Sequence, residues 1–173
     1  MVHLATRDFP EARQKYRYGS IVDFYLVRHG EAFPETQDPR RPLTPAGRAS
    51  AERLARLAAA RSIGASAIVH SGILRARQTA EILGAQLTPD IEVQPVTGLM
   101  PEDDPAVAAA ELETAQNSII LVGHLPHLNR LAALLINGDS DRRVVDFSPA
   151  SMVCCSRKDS QWTLAWILTA HST

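Results

Sequence analysis

Short, continuous apolar runs alternate along the chain with longer stretches in which apolar residues recur every three or four positions. A continuous run is typical of a strand covered on both faces of a sheet, whereas the longer period is typical of a helix. The pattern predicts strands at about 21–27, 65–70, 91–96, 118–122, 150–156 and 162–168. It predicts helices that start near residues 44, 71, 105 and 126 and end near residues 62, 84, 116 and 138. This alternation predicts an α/β protein, a three-layer sandwich in which helices flank a mostly parallel central sheet.

The last two predicted strands are separated only by a polar turn at residues 157–160. This spacing is typical of a hairpin, which would place an antiparallel edge on the sheet. The sequence has no repeats, no low-complexity segments and no internal linker, so we expect residues 21–173 to form a single domain. Residues 1–20 are polar and lack periodicity, and we expect them to form an N-terminal arm.

The composition is that of an ordinary globular protein and limits the classes of partner. Hydrophobic residues make up 45% and charged residues 21% of the 173 positions, and the net charge is −1. This composition lacks the basic excess of a nucleic-acid binder, and the apolar runs are too short to span a membrane. We therefore expect a cytoplasmic protein that binds neither nucleic acid nor a membrane. Cys154 and Cys155 are adjacent in an apolar strand and point to opposite faces, so we expect two core residues rather than a disulfide or a metal site.

Candidate catalytic residues follow three of the predicted strands. Arg28 and His29 come directly after the first strand, Arg75 lies at the start of the second helix, and His124 follows the run at 118–122. If these strands are parallel neighbours, the four side chains meet at one edge of the sheet. Arginines bind a phosphoryl group with several charge-assisted hydrogen bonds, a neutral histidine can attack phosphorus, and a second, protonated histidine can neutralise charge. Such a site requires no metal and no cofactor.

Four segments in this order resemble the histidine phosphatase superfamily, which includes the cofactor-dependent phosphoglycerate mutases. They are Leu26–Ala32 with its Arg-His-Gly sequence, Arg-Pro-Leu-Thr at Arg41–Thr44, Ser-x-x-x-Arg-Ala-x-x-Thr at Ser71–Thr79, and Gly-His-x-Pro at Gly123–Pro126. Arg-His-Gly alone is a weak signal, but four ordered segments are a strong one. The resemblance covers about residues 24–167 and implies a phosphoglycerate-mutase-like fold.

The resemblance also implies a role for each matching residue. His29 would be the nucleophile that becomes phosphohistidine, and Arg28 and Arg75 would bind the phosphoryl group. His124 would complete the phosphate pocket and stabilise its charge, with Arg41 as a further phosphate ligand.

Four other basic side chains are expected to lie outside this site. Arg77 is two residues beyond Arg75 on the predicted helix and should point elsewhere, and Arg40 is expected to be a solvated neighbour of the site. His70 and His127 are expected to have structural or surface roles.

The short distance along the chain between Arg75 and His124 bears on the substrate. Only 48 residues separate them, and predicted helices and strands already occupy these residues, so no helical lid fits. An open site suits a phosphorylated side chain on another protein better than a small molecule that must be enclosed. The compact size, the Leu-Val-Arg-His-Gly-Glu-Ala start and the Arg-Pro-Leu-Thr-Pro segment most resemble the SixA type of phosphohistidine phosphatase. This resemblance implies a phosphohistidine-bearing phosphotransfer protein as the substrate.

The proton donor to the leaving group is open at this stage. Family members that cleave phosphate esters use a carboxylic acid between the second arginine and the second histidine, and the candidates are Glu102, Asp103 and Asp104. These residues are equally compatible with a plain acidic helix N-terminus. Two alternatives therefore remain: a broad phosphomonoesterase acting on small phosphate esters, and an inactive domain that binds a phosphorylated ligand.

Overall fold

The structure is a computed structural model that describes residues 20–87 and 90–171. In chain order its elements are β1 (Ile21–Arg28), α1 (Pro45–Ala60), β2 (Ala67–His70), α2 (Leu74–Leu87), β3 (Glu92–Pro95), α3 (Pro105–Thr114), β4 (Ile119–Gly123), α4 (His127–Asn137), β5 (Ser151–Lys158) and β6 (Gln161–Thr169). The predicted N-terminal arm, residues 1–20, lies outside the described residues except for Ser20.

The strands form one mixed sheet in the order β3-β2-β4-β1-β5-β6. β3, β2, β4 and β1 are parallel neighbours, whereas β5 is antiparallel to both β1 and β6. Five of these six strands therefore run in one direction, and β5 with β6 forms the predicted hairpin. The prediction of an α/β sandwich with a mostly parallel sheet is confirmed.

Helices cover both faces of the sheet because residues along its central strands alternate in direction. On β1, Phe24 and Leu26 pack into a core with α3 and α4, whereas Tyr25 and Val27 pack into a second core with α1 and α2. All four side chains are at most 5% exposed. Burying a side chain of this size contributes roughly 1.5–3 kcal/mol, so these two cores hold β1 firmly in the middle of the sheet.

The two cysteines illustrate the same alternation. Cys155 belongs to the core beneath α3 and α4, Cys154 belongs to the opposite core, and both are free thiols. Burial raises the pKa of each thiol to about 12, so both stay protonated. Their prediction as core residues is confirmed. Within the described ranges, no helix is long and apolar enough to cross a membrane.

The second helix differs from its prediction at both ends. It begins at Leu74 rather than Ser71, because the chain first turns through Gly72, whose φ of 85° is left-handed. It also continues through Gly84 to Leu87. A Cβ atom at Gly84 would lie 2.8 Å from Cγ2 of Val93, so this glycine allows close packing of α2 against β3 and does not end the helix.

The parallel strands end at one level, which defines the edge where the site lies. Arg28 at the end of β1 pairs with Gly123 at the end of β4, and His70 at the end of β2 pairs with Val122. Ser151, the first residue of β5, lies opposite Arg28. The loops that leave β1, β2 and β4 therefore start side by side at the carboxyl edge of the sheet.

Candidate active site

His29 is held at the end of β1 in a single tautomer. Its backbone N–H donates to the carbonyl oxygen of Gly123 at 3.3 Å, and its ring Nδ1 lies 2.6 Å from the carbonyl oxygen of Gly30. A carbonyl oxygen only accepts hydrogen bonds, so Nδ1 carries the ring hydrogen and Nε2 is unprotonated. Nε2 accepts a hydrogen bond from Nε of Arg75 at 3.1 Å.

The surroundings of His29 keep its ring neutral. Burial, together with the positive charges of Arg75, Arg28 and Arg41, lowers the pKa of His29 to about 4, against the opposing effect of the Gly30 carbonyl. A neutral ring with an unprotonated Nε2 is the nucleophilic form of histidine.

His124 lies beside His29 at the end of β4. The centroids of the two rings are 4.9 Å apart, and Nε2 of His124 lies 2.6 Å from Oγ of Ser71. Burial, followed by the neighbouring His29, lowers the pKa of His124 to about 3. His124 is therefore neutral in this structure, because no carboxylate among the described residues contacts the ring to offset its desolvation.

Three arginines surround the two histidine rings. Arg28 donates through Nη1 to the carbonyl oxygen of Phe147 at 2.8 Å, and Arg75 projects from the first turn of α2. Arg41 lies in the loop between β1 and α1, where its Nε donates to the carbonyl oxygen of Phe33 at 3.4 Å. Its charge lowers the pKa of His29, His124 and Arg75, although burial is the main cause for all three. The structure thus brings His29, Arg28, Arg75, His124 and Arg41 together.

The four other basic side chains do not belong to this cluster of two histidines and three arginines. Two are exposed arginines, and two are buried histidines. Arg77 is exposed and pairs with Glu81 at 3.4 Å, and the side chain of Arg40 is 79% exposed and pairs with Asp38. His70 is 2% exposed, and its Nδ1 accepts a hydrogen bond from the backbone N–H of Gly72 at 3.0 Å. His127, the first residue of α4, is fully buried.

Two of the three candidate proton donors are already engaged in local structure. Oδ2 of Asp103 accepts from the backbone N–H of Met100 at 2.8 Å, which closes the acidic turn. Oδ1 of Asp104 accepts from the backbone N–H of Ala106 at 2.9 Å and caps α3. Glu102 is exposed and makes no hydrogen bond or ion pair within the described part of the chain. It is the uncommitted carboxylate of the three.

Several groups at the site were not predicted from the sequence. Ser71 contacts His124, Thr79 contacts both Gly30 and Arg75, and the Phe147 carbonyl contacts Arg28. Ser71 and Thr79 open and close the third motif segment, so their spacing from Arg75 is a signal that could have found them. The Phe147 contact joins residues 119 positions apart, and no local pattern indicates it.

The chemistry available here is nucleophilic transfer of a phosphoryl group. A neutral imidazole nitrogen next to several guanidinium groups supplies both a nucleophile and neutralising charge for equatorial phosphate oxygens. Across residues 20–87 and 90–171, no group of three or more His, Cys, Asp or Glu side chains is placed to hold a metal ion.

Comparison with known proteins supports this chemistry. The model of the histidine phosphatase superfamily, branch 1, matches residues 24–100. An uncharacterized protein of Picosynechococcus sp. is 33% identical over 127 residues, which are 69% of this chain and 76% of that protein. The chain belongs to the histidine phosphatase superfamily. Phosphohistidine phosphatase SixA of Escherichia coli is 28% identical over 124 residues, 69% of this chain and 77% of SixA. Membership of this superfamily supports a phosphatase activity.

Solved structures of the superfamily share the fold. The protein histidine phosphatase SixA complexed with tungstate superposes with a TM-score of 0.76 at 24% identity, covering 86% of this chain and 97% of that one. A mycobacterial glucosyl-3-phosphoglycerate phosphatase superposes with a TM-score of 0.67 at 18% identity, covering 84% of this chain and 97% of that one. At these identities the likeness concerns the fold alone, and the fold serves phosphatases with different substrates.

Proposed function

We propose that this phosphatase hydrolyses phosphohistidine on a partner protein, through a phosphohistidine formed on its own His29. The observation that carries the proposal is the fixed tautomer of His29, whose Nδ1 is held by the Gly30 carbonyl while Nε2 faces Arg75. The partner is a phosphotransfer protein, and the similarity to SixA supports that assignment.

The proposed reaction has two displacements at phosphorus. In the first, Nε2 of His29 attacks phosphorus while the P–N bond of the substrate breaks, and the substrate imidazole leaves with the electron pair and takes up a proton. Arg28, Arg75 and Arg41 bind the equatorial oxygens, and His124 completes the pocket. In the second, water attacks the phosphoryl group on His29, which releases inorganic phosphate, a proton and the free enzyme.

The acidic turn favours a phosphoramidate over an ester as substrate. An alkoxide leaving from a phosphate ester needs a positioned acid, whereas an imidazole leaving group needs less help. Asp103 and Asp104 are engaged by backbone N–H groups, which leaves only Glu102 of the three predicted candidates. The arrangement is therefore better suited to phosphohistidine.

The length of chain between Arg75 and His124 also favours a protein substrate. The intervening residues that the structure describes form the rest of α2, then β3, the acidic turn, α3 and β4, with no further helix among them. A phosphorylated side chain on the surface of a partner can approach such an edge.

The test compares phosphate release, without added metal, from a histidine-phosphorylated phosphotransfer domain and from a panel of small phosphate esters at matched concentrations. We expect faster release from the protein, complete loss in His29→Ala, and unchanged release in Arg77→Ala, which alters an exposed arginine of the same helix as Arg75. Hydrolysis that persists in His29→Ala would contradict the mechanism.

A second candidate is a phosphomonoesterase acting on small esters, which the exposed and uncommitted Glu102 favours. If esters are the better substrates, Glu102→Gln should lower their turnover at least tenfold and leave release from phosphohistidine almost unchanged, because only the ester leaving group depends on the acid. Equal turnover by Glu102→Gln and the wild type would exclude Glu102 as the acid. Binding of the phosphorylated domain without any phosphate release would instead indicate an inactive binding domain.

A further inference from the structure

Helix α2 contacts the loop that carries His29 through Thr79. Oγ1 of Thr79 accepts a hydrogen bond from the backbone N–H of Gly30 at 3.2 Å and donates one to the carbonyl oxygen of Arg75 at 2.8 Å. The side chain is fully buried. One hydroxyl group thus joins the backbone next to His29 to the backbone of Arg75, the residue whose guanidinium contacts the His29 ring.

The neighbouring residue on α2, Gln78, contacts a different loop. Its Oε1 accepts a hydrogen bond from the backbone N–H of Leu43 at 2.8 Å. Leu43 also forms an isolated bridge with Ala32, so both sides of the loop between β1 and α1 are fixed at this point. Arg41 lies two residues before Leu43 and has a left-handed φ of 49°, a conformation that costs free energy unless its surroundings hold it.

We propose that Gln78 and Thr79 are positioning residues that act on different steps of the reaction. Thr79 sets the position of His29 relative to Arg75 and so controls the rate of phosphoryl transfer. Gln78 sets the position of Arg41 and so controls the affinity for the phosphoryl group. This inference rests on the proposed function of His29 as nucleophile and assigns two further residues to it.

The physical basis for Thr79 is the buried N–H group of Gly30. Thr79→Val keeps the shape of the side chain but removes the acceptor, which leaves that N–H without its partner. The Gly30 peptide then shifts, and the carbonyl group that holds Nδ1 of His29 shifts with it. Displacements of about 1 Å in a reacting group cost on the order of 100-fold in rate. Thr79→Ser keeps the hydroxyl group and should keep the geometry.

The physical basis for Gln78 is the strained loop that it supports. Gln78→Met keeps the length of the side chain and removes the acceptor for the Leu43 N–H. The loop then relaxes around Arg41, while His29, Arg28 and Arg75 keep all their own hydrogen bonds. The expected result is weaker binding of the phosphoryl group with the transfer step unchanged.

The experiment measures single-turnover formation of phosphohistidine on the enzyme, KM, and competitive inhibition by inorganic phosphate. Thr79→Val should slow phosphoenzyme formation about 10- to 100-fold with little change in phosphate inhibition, and Thr79→Ser should stay within about threefold of the wild type. Gln78→Met should raise KM and the phosphate inhibition constant about tenfold with kcat unchanged. In an Arg41→Ala background, Gln78→Met should have almost no further effect, because Gln78 acts through Arg41.

A spectroscopic measurement separates positioning from simple loss of stability. The ¹⁵N shifts of the His29 ring report which nitrogen is protonated, and Thr79→Val should show a mixed population where the wild type shows hydrogen on Nδ1 alone. Equal slowing in Thr79→Val and Thr79→Ser, or a lower kcat instead of a higher KM in Gln78→Met, would overturn the inference. The experiment distinguishes failure of this inference from failure of the proposed function. If the proposed function fails, the wild type itself forms no phosphoenzyme on His29.

Discussion

At the level of single residues, the two central histidines are neutral for a shared physical reason. His29 and His124 are desolvated at the edge of the sheet, and no carboxylate within the described residues contacts either ring. Within residues 20–87 and 90–171, the polar partners of the two rings are a carbonyl oxygen, a serine hydroxyl and the Nε of Arg75. Cationic and neutral groups therefore surround the two rings, an environment that suits an anion such as a phosphoryl group.

His127 is a buried histidine that does not belong to this arrangement. It is fully buried, and neither ring nitrogen has a hydrogen-bond partner within the described residues. Burial lowers its pKa, so the ring is neutral. An unpaired buried polar group costs about 1–3 kcal/mol, so we expect His127→Leu to raise the free energy of unfolding by about 1 kcal/mol.

Urea denaturation at pH 7 measures this change, with His127→Asn as the control that keeps polar atoms in the same position. Asn should give no gain in stability. A His127→Leu protein that is less stable than the wild type would show that the ring is hydrogen-bonded after all, and the prediction would fail.

At the level of elements, Gly84 shows how tertiary packing overrides a local rule. Glycine near the end of a helical pattern ordinarily predicts the helix end, yet α2 continues past it because Val93 of β3 occupies the space of a Cβ atom. In an exposed helix, glycine to alanine stabilises by about 1 kcal/mol. Here we expect Gly84→Ala to destabilise the protein by about 1–3 kcal/mol, because the β-branched Val93 adjusts poorly.

Thermal and urea unfolding measure this change, and Gly64→Ala is the matched control. A Cβ atom at Gly64 would have no atom within 4 Å, so its replacement should change stability by less than about 0.5 kcal/mol. A stabilised Gly84→Ala protein would mean that α2 can shift away from β3 at little cost.

Most elements could be predicted because their signals are local. Thr44 caps α1 with Pro45 at its first position, and Gly138 ends α4 with a φ of 71°. The apolar run predicted as a strand at 118–122 forms the central strand β4. The start of α2 could not be placed, because the left-handed turn at Gly72 is stabilised partly by the ring of His70.

The candidate site could be predicted from the sequence to about the same extent as the elements. The motif segments identified the side chains that the structure brings together. Four of these five side chains lie at a strand end or in the first turn of a helix, and Arg41 lies in the loop between β1 and α1. The contacts made by Ser71, Thr79 and the Phe147 carbonyl join separate segments, so they depend on the sheet order that no single segment contains. The sequence alone also left the state of His124 open, since burial decides its charge.

At the level of the whole molecule, the buried histidines make the free energy of unfolding depend on pH. His29 and His124 have pKa values of about 4 and 3 in the folded state, against about 6.5 in the unfolded chain, so the unfolded state binds more protons once the pH falls below about 6.5. The contribution of these two histidines to stability should therefore be full above that pH, decline as the pH falls, and be lost below about pH 3.

Urea midpoints between pH 7.5 and pH 4.5 measure this decline. Replacing His124 by glutamine removes one titrating group and should make the decline shallower, whatever its effect on activity. A midpoint that stays constant over this range would show that these histidines titrate alike in the folded and unfolded states.

The central place of β1 in the sheet has a consequence for how the enzyme is made. Its two neighbours, β4 and β5, come from residues 119–123 and 151–158, so the strand that ends beside His29 leaves the ribosome long before either partner exists. Pairing over such separations is slow, because the intervening chain must first be ordered. A nascent chain that stops before residue 119 lacks both partner strands and His124, so under the proposed mechanism it has neither a paired β1 nor a complete phosphate pocket.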